Sequence, residues 1–139
     1  MTEINILENI KEKFKQSSNS VEIPLFKGQK TFQATLNDHG IRVSNQSSQP
    51  LLSWAVFEET IGLLKEKNGS ALKGDAMKYK LGESGLPIDS IEGRIAFKVY
   101  GKQLGQNVFR RITPIVCILV WAGICVNERG KLVFLNNND

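Results

Sequence analysis

From Ile112 to Ala122 the chain carries no charged side chain, and this run constrains the fold more than any other stretch. A helix that is apolar all round is stable only when buried, so the rest of the domain or a second copy must cover it. Thr113 and Pro114 read as an N-cap and first-turn pair, because proline lacks an N–H that would be unpaired there in any case. Gly123 reads as the helix stop. Beyond it, Ile124 and Val126 lead into a turn over Asn127, Glu128, Arg129 and Gly130, and Leu132 to Leu135 lead out, which predicts a β-hairpin.

A chain of 139 residues can bury a core without disulfides or a metal. Cys117 and Cys125 stand in apolar contexts with no second pair to build a framework or a zinc site, so both are expected to be reduced core residues in a cytoplasmic protein. Acidic residues near the N-terminus leave no apolar signal segment. The longest charge-free run, Ile112 to Asn127, has 16 residues, short of the roughly 20 a bilayer span needs, and no membrane association is expected. The net charge of +4 is unevenly spread: residues 1–60 sum to −1 and residues 61–139 to +5. Such a surplus suits a nucleic-acid surface, and equally a protein that merely stays soluble.

In chain order, Thr2 can cap a first helix with apolar positions Ile4, Leu7, Ile10 and Phe14. The loop Gln16 to Ser20 ends it. Val21, Ile23 and Leu25, then Phe32, Ala34 and Leu36, then Ile41 and Val43 alternate as a short antiparallel meander with one buried face. His39, the only histidine, falls in a turn and reads as a tolerated polar residue. The polar stretch Asn45 to Gln49 divides this part, residues 1–49, from a helical part, residues 50–139. There Ser53 caps a helix with the stripe Trp54, Phe57, Ile61 and Leu64; Ser70 to Leu81 predicts a second, weakened by Gly74. Asp89, Ser90, Ile91 and Glu92 spell a capping box for a third, which buries Ile91, Ile95 and Val99 and ends near Gly101. On it Arg94, Lys98 and Lys102 recur every fourth residue, an array able to track a phosphate backbone and equally an ordinary solvated face.

Catalytic patterns are missing. No Asp or Glu is followed two residues later by Lys, Gly101 and Lys102 lack the rest of a phosphate loop, and one histidine cannot build a zinc site. Glu58 and Glu59 fall on a solvent face, and Asp89 and Glu92 are explained as helix caps. The expectation is a protein that is not an enzyme and takes no cofactor or metal.

The order of helix, short segment, helix, helix and hairpin from Trp54 on looks like a winged-helix domain. VFRR, LVWAGI and NERGKLVFL resemble the end of the N-terminal winged-helix domain of Mrr-type restriction proteins. The fold class implied is α+β: an N-terminal helix and antiparallel meander, then a winged-helix-like helical domain with a C-terminal hairpin as its wing. Domains of that family bind double-stranded DNA, and the resemblance carries phosphate contacts onto Arg110, Arg111, Arg129 and Lys131, to which the Arg94, Lys98 and Lys102 stripe would add. The expected function is thus a non-enzymatic DNA-binding protein, with transcription regulation as its role. The alternative is a protein-interaction or dimerisation module without nucleic-acid binding. A homodimer is expected, joined through the first helix, the meander or both, because that helix has no obvious place in a winged-helix core.

Overall fold

The computed structural model describes residues 3–135, so the expected cap at Thr2 lies outside the described residues. Helix α1 (Glu3–Gln16) is followed by strands β1 (Ser20–Pro24), β2 (Thr31–Asn37), β3 (Gly40–Val43) and β4 (Leu52–Ser53), which form one antiparallel sheet in chain order. Then come α2 (Trp54–Glu66), β5 (Ser70–Leu72), α3 (Ile91–Lys98), α4 (Ile112–Trp121), β6 (Cys125–Glu128) and β7 (Lys131–Phe134). The last three strands make a second antiparallel sheet in the order β5-β7-β6. The chain is α+β with a C-terminal β-hairpin, as its patterning implied. No helix among the described residues is long and apolar enough to cross a membrane.

The charge-free helix sits at the centre. Seven of the ten residues of α4 are buried, and a helix this short is held by packing, since isolated helices need about 12–15 residues even to be marginal. Gly123, at φ 78°, stops it: the N–H groups of Gly123 and Ile124 bond back to the carbonyls of Val120 and Leu119, closing the last turn with a left-handed residue that favours glycine. The chain enters β6 directly from this turn.

The cover comes from the N-terminal part. Ile6, Leu7, Ile10 and Phe14 of α1 are all buried, and the Phe14 ring meets Trp121 edge-on with centroids 5.0 Å apart. The Lys13 ammonium donates to the Trp121 carbonyl at 3.3 Å and lies over its ring. From the sheet, Ile23, Phe32, Ala34, Ile41 and Val43 point inward, giving the one-sided meander its buried face. Side chains on both sides of residue 49 share a single hydrophobic cluster running from Ile6 to Leu132. Leu7, Ile10 and Phe14 of the α1 stripe, which sequence offered together with the meander as a dimer contact, are therefore buried inside one copy of the chain; the Ile4 side chain lies outside the described residues.

Three local expectations are corrected. Ser70 to Leu81 is not a helix: residues 70–72 are strand β5, where Ala71 pairs with Leu132 and both are buried, and the chain then turns at Gly74 (φ 83°). The Asp75 carboxylate accepts the N–H groups of Met77 and Lys78, which fixes that turn and competes with helix. Second, Asp89 does not cap α3. Ser90 does, its Oγ accepting the Gly93 N–H at 3.1 Å, while the Asp89 carboxylate pairs with Lys67 at 2.6 Å. Third, Arg111, not Thr113, stands at the N-cap position of α4; Pro114 is in the first turn as expected, two residues further in, where its missing N–H costs no helical bond.

Candidate nucleic-acid interface

The seven cations singled out from sequence fall into three settings. Arg94 lies on the side of α3 that faces α2, where its Nε donates to Glu59 at 2.8 Å and its two Nη atoms donate to the Glu66 carboxylate at 2.8 and 2.6 Å. The bonds to Glu66 raise the guanidinium pKa further and hold the Glu66 carboxyl below its ordinary range. Lys98 is exposed, and its charge also acts on Glu66. The stripe stops there, because α3 ends at Lys98; Lys102 follows in a loop and lies over the Phe109 ring, 5.5 Å from its centroid. The expected helical array of three cations is thus one arginine neutralised against α2, one exposed lysine near Glu66 and a separate lysine in a loop.

Arg111 is not a surface contact. It is 1% exposed, the largest fully buried side chain among the described residues. Its Nε donates to Gln46 Oε1 at 2.9 Å, one Nη to the Tyr100 hydroxyl at 3.2 Å and the other to the Pro50 carbonyl at 2.7 Å. Gln46 in turn donates to the Arg110 carbonyl, so the polar stretch before α2 is tied to the start of α4. The Glu92 carboxylate, 2% exposed, accepts the Arg111 N–H at 2.9 and 3.2 Å and serves the first turn of α4, not α3. A carboxylate at a helix N-terminus complements the positive end of the dipole.

Burial pushes the Glu92 carboxyl up from 4.5 to about 7, against the pull of the Arg111 N–H and of the nearby Arg110 and Arg111 charges. The unfolded chain releases this proton near 4.5, so between 4.5 and 7 the folded state holds more protons, and the stability this group contributes is present below 4.5 and lost as pH rises through 7. Glu92→Gln is expected to remove that dependence. Melting curves across the same interval should show the wild type losing Tm relative to the variant as pH rises; parallel curves would mean that Glu92 does not titrate there.

The remaining candidates, Arg110, Arg129 and Lys131, have as neighbours cations that sequence reasoning passed over. The Lys73 N–H donates to the Gly130 carbonyl at 2.9 Å, which sets it beside the hairpin turn, and its ammonium bonds to Asn127. Partial burial lowers the Lys73 pKa, and the charge of Arg110 pushes the same way. On the other side, Thr113 in the first turn of α4 lines a shallow cavity of about 460 Å³ with Leu25, Phe26, Lys27, Gly28 and Lys30 from the β1–β2 loop. Lys27 and Lys30 stand beside Thr113, the charge of Arg110 acts on Lys73, and Lys73 lies against Gly130, between Arg129 and Lys131 in sequence; these six make a chain-wise band of cations from the β1–β2 loop past the start of α4 to the hairpin tip. Among the described residues, only Lys131 of these six is in an ion pair, with Glu128 at 3.5 Å. Lys27, Lys30 and Lys73 lie in turns far apart in sequence, and only the fold brings them to this edge.

Cys117 and Cys125 are free and buried, and burial pushes their thiols up to about 11 and about 12, away from the reactive thiolate. Among the described residues no group of His, Cys, Asp and Glu is placed to hold a metal ion. No family model matches the chain, and searches of curated proteins and of solved structures return no match.

Proposed function

We propose that this chain is a non-enzymatic DNA-binding protein of winged-helix type that holds the duplex by its phosphates. The observation that carries the reading is the cationic band at the start of α4 and the hairpin tip, in which Lys27, Lys30, Lys73, Arg110 and Arg129 have no carboxylate partner among the described residues. The order helix, strand, helix, helix and hairpin from Trp54 on supports it, with β5 completing a three-stranded sheet beside the hairpin. Base reading by α4 is not part of the proposal, because that helix is covered; phosphate contacts position a protein on DNA without conveying sequence. A regulatory role in the cytoplasm goes with the same reading. A two-fold pair of chains, which symmetric half-sites would favour, has to use a surface other than the apolar stripe of α1.

Fluorescence anisotropy on a labelled duplex in rising salt tests this. With about five phosphates neutralised, log K should fall against log salt with a slope of about −4 to −5, as released counterions drive the binding. Absence of binding to any duplex at low salt would contradict it. That result would leave the second reading, a protein-interaction module, which one observation favours: Met77, Leu104 and Phe109 are exposed by 71, 63 and 57%.

A further inference from the structure

The segments between β5 and α3 and between α3 and α4 fold against each other as a small lobe. Leu81, Leu86 and Ala96 form its separate core, and the Leu81 N–H donates to the Gln106 carbonyl while the Gly105 N–H donates to that of Leu81. Gly93 presses α3 onto this lobe: a Cβ there would lie 2.0 Å from the Pro87 carbonyl oxygen. With so little interior, the lobe leaves large side chains outside. Phe109 is 57% exposed, with the Lys102 ammonium 5.5 Å from its ring centroid. Next to it, Arg110 Nη1 lies 2.8 Å from the sulfur of the exposed Met77.

The charge of the lobe selects the partner. Its three carboxylates between β5 and α3 are all engaged: Asp75 accepts the N–H groups of Met77 and Lys78, Glu83 accepts the Lys80 N–H at 2.7 Å, and Asp89 pairs with Lys67 at 2.6 Å. Lys78, Lys80, Lys102 and Arg110 make no ion pair among the described residues. An exposed aromatic ring flanked by unpaired cations offers a stacking face next to phosphate-binding charge, the combination that holds single-stranded nucleic acid. A paired base keeps its faces covered by its neighbours in the stack, so a ring such as Phe109 gains only from a base that is unpaired.

Resting on the nucleic-acid reading above, we propose that the ridge of Lys102, Phe109 and Arg110 takes up an unpaired base, so that the protein favours DNA in which a duplex meets a single strand. The test compares three labelled DNAs by anisotropy: a blunt duplex, the same duplex with a short single-stranded tail, and the same duplex with a tail of abasic nucleotides. The abasic tail supplies the phosphates without the rings. The base-bearing tail is expected to bind about tenfold tighter than the abasic one, as one stacked base allows. Phe109→Ala should abolish that difference while leaving the blunt duplex affinity unchanged, and Phe109→Trp should preserve it; thermal melting of each variant checks that the fold is kept.

Equal affinity for the two tails, or a difference that survives Phe109→Ala, overturns the proposal while leaving duplex binding standing. Binding to none of the three DNAs sinks the nucleic-acid reading itself. Equal tails together with Phe109-dependent binding of an acidic polypeptide would assign the ridge to a protein partner, and likewise overturn the proposal.

Discussion

Replacing Arg111 by Ala is expected to destabilise the protein by about 2–6 kcal/mol, since two buried acceptors each lose their donor at about 1–3 kcal/mol apiece. The guanidinium joins Gln46 and Pro50 of the stretch before α2 to Tyr100 after α3, and truncation leaves the Gln46 and Pro50 oxygens without their donor. Arg111→Lys should recover little, because one ammonium cannot reproduce the fork that reaches three acceptors. Urea unfolding measures this directly as a lowered midpoint at constant slope. A variant as stable as the wild type that fails to bind DNA would instead return Arg111 to the surface role its place beside Arg110 suggested.

The second large effect concerns the cover over α4. Deleting residues 1–19 removes Ile6, Leu7, Ile10 and Phe14 from the core and bares one side of a helix that has no polar face to turn to water. Phe14→Ala alone should cost about 3–5 kcal/mol. The full deletion removes more than a domain of this size typically has to spare, and the expected outcome is loss of cooperative thermal unfolding. A truncated chain that melts cooperatively as a monomer would show that α1 is a separable arm.

Much of this architecture is legible in the sequence where a local pattern and the global fold agree. The charge-free run implies burial, and the alternation at residues 21–43 and 124–135 implies two antiparallel sheets; the structure has all three. Residues 70–81 misled because their apolar spacing suits a helix, whereas pairing of Ala71 with Leu132 and the turn built by Asp75 decide the outcome. Such pairing joins residues some sixty positions apart, and no local period reports it.

The proposed binding surface is only partly legible. Sequence points to Arg110, Arg129 and Lys131, yet it cannot separate Arg110 from Arg111, adjacent residues of one charge whose side chains go to opposite environments. That outcome depends on Gln46 and Pro50 before α2, Glu92 on α3 and Tyr100 after it, all distant in sequence from Arg110. Arg94 and Lys98 have the spacing of a phosphate track, but the carboxylates of Glu59 and Glu66 on α2 face them. Lys27, Lys30 and Lys73 carried no signal at all, since isolated lysines in turns are ordinary solvent-exposed residues until a fold gathers them.

Charge reversal at the two ends of this surface separates the band from the α3 stripe. In one variant Arg110 and Arg129 become Glu; in the other Arg94 and Lys98 become Glu. Duplex affinity is then measured for both in low salt, with melting curves to confirm that each is folded. The first variant is expected to lose binding by a hundredfold or more, on the order expected from removing two phosphate contacts and adding two repulsive charges, and its salt slope should flatten by about two. The second should bind within a few-fold of wild type if still folded, because Arg94 is already paired with Glu59 and Glu66 and Lys98 lies outside the band. Unchanged binding by a folded Arg110 and Arg129 variant would contradict the cationic band as the DNA-binding surface.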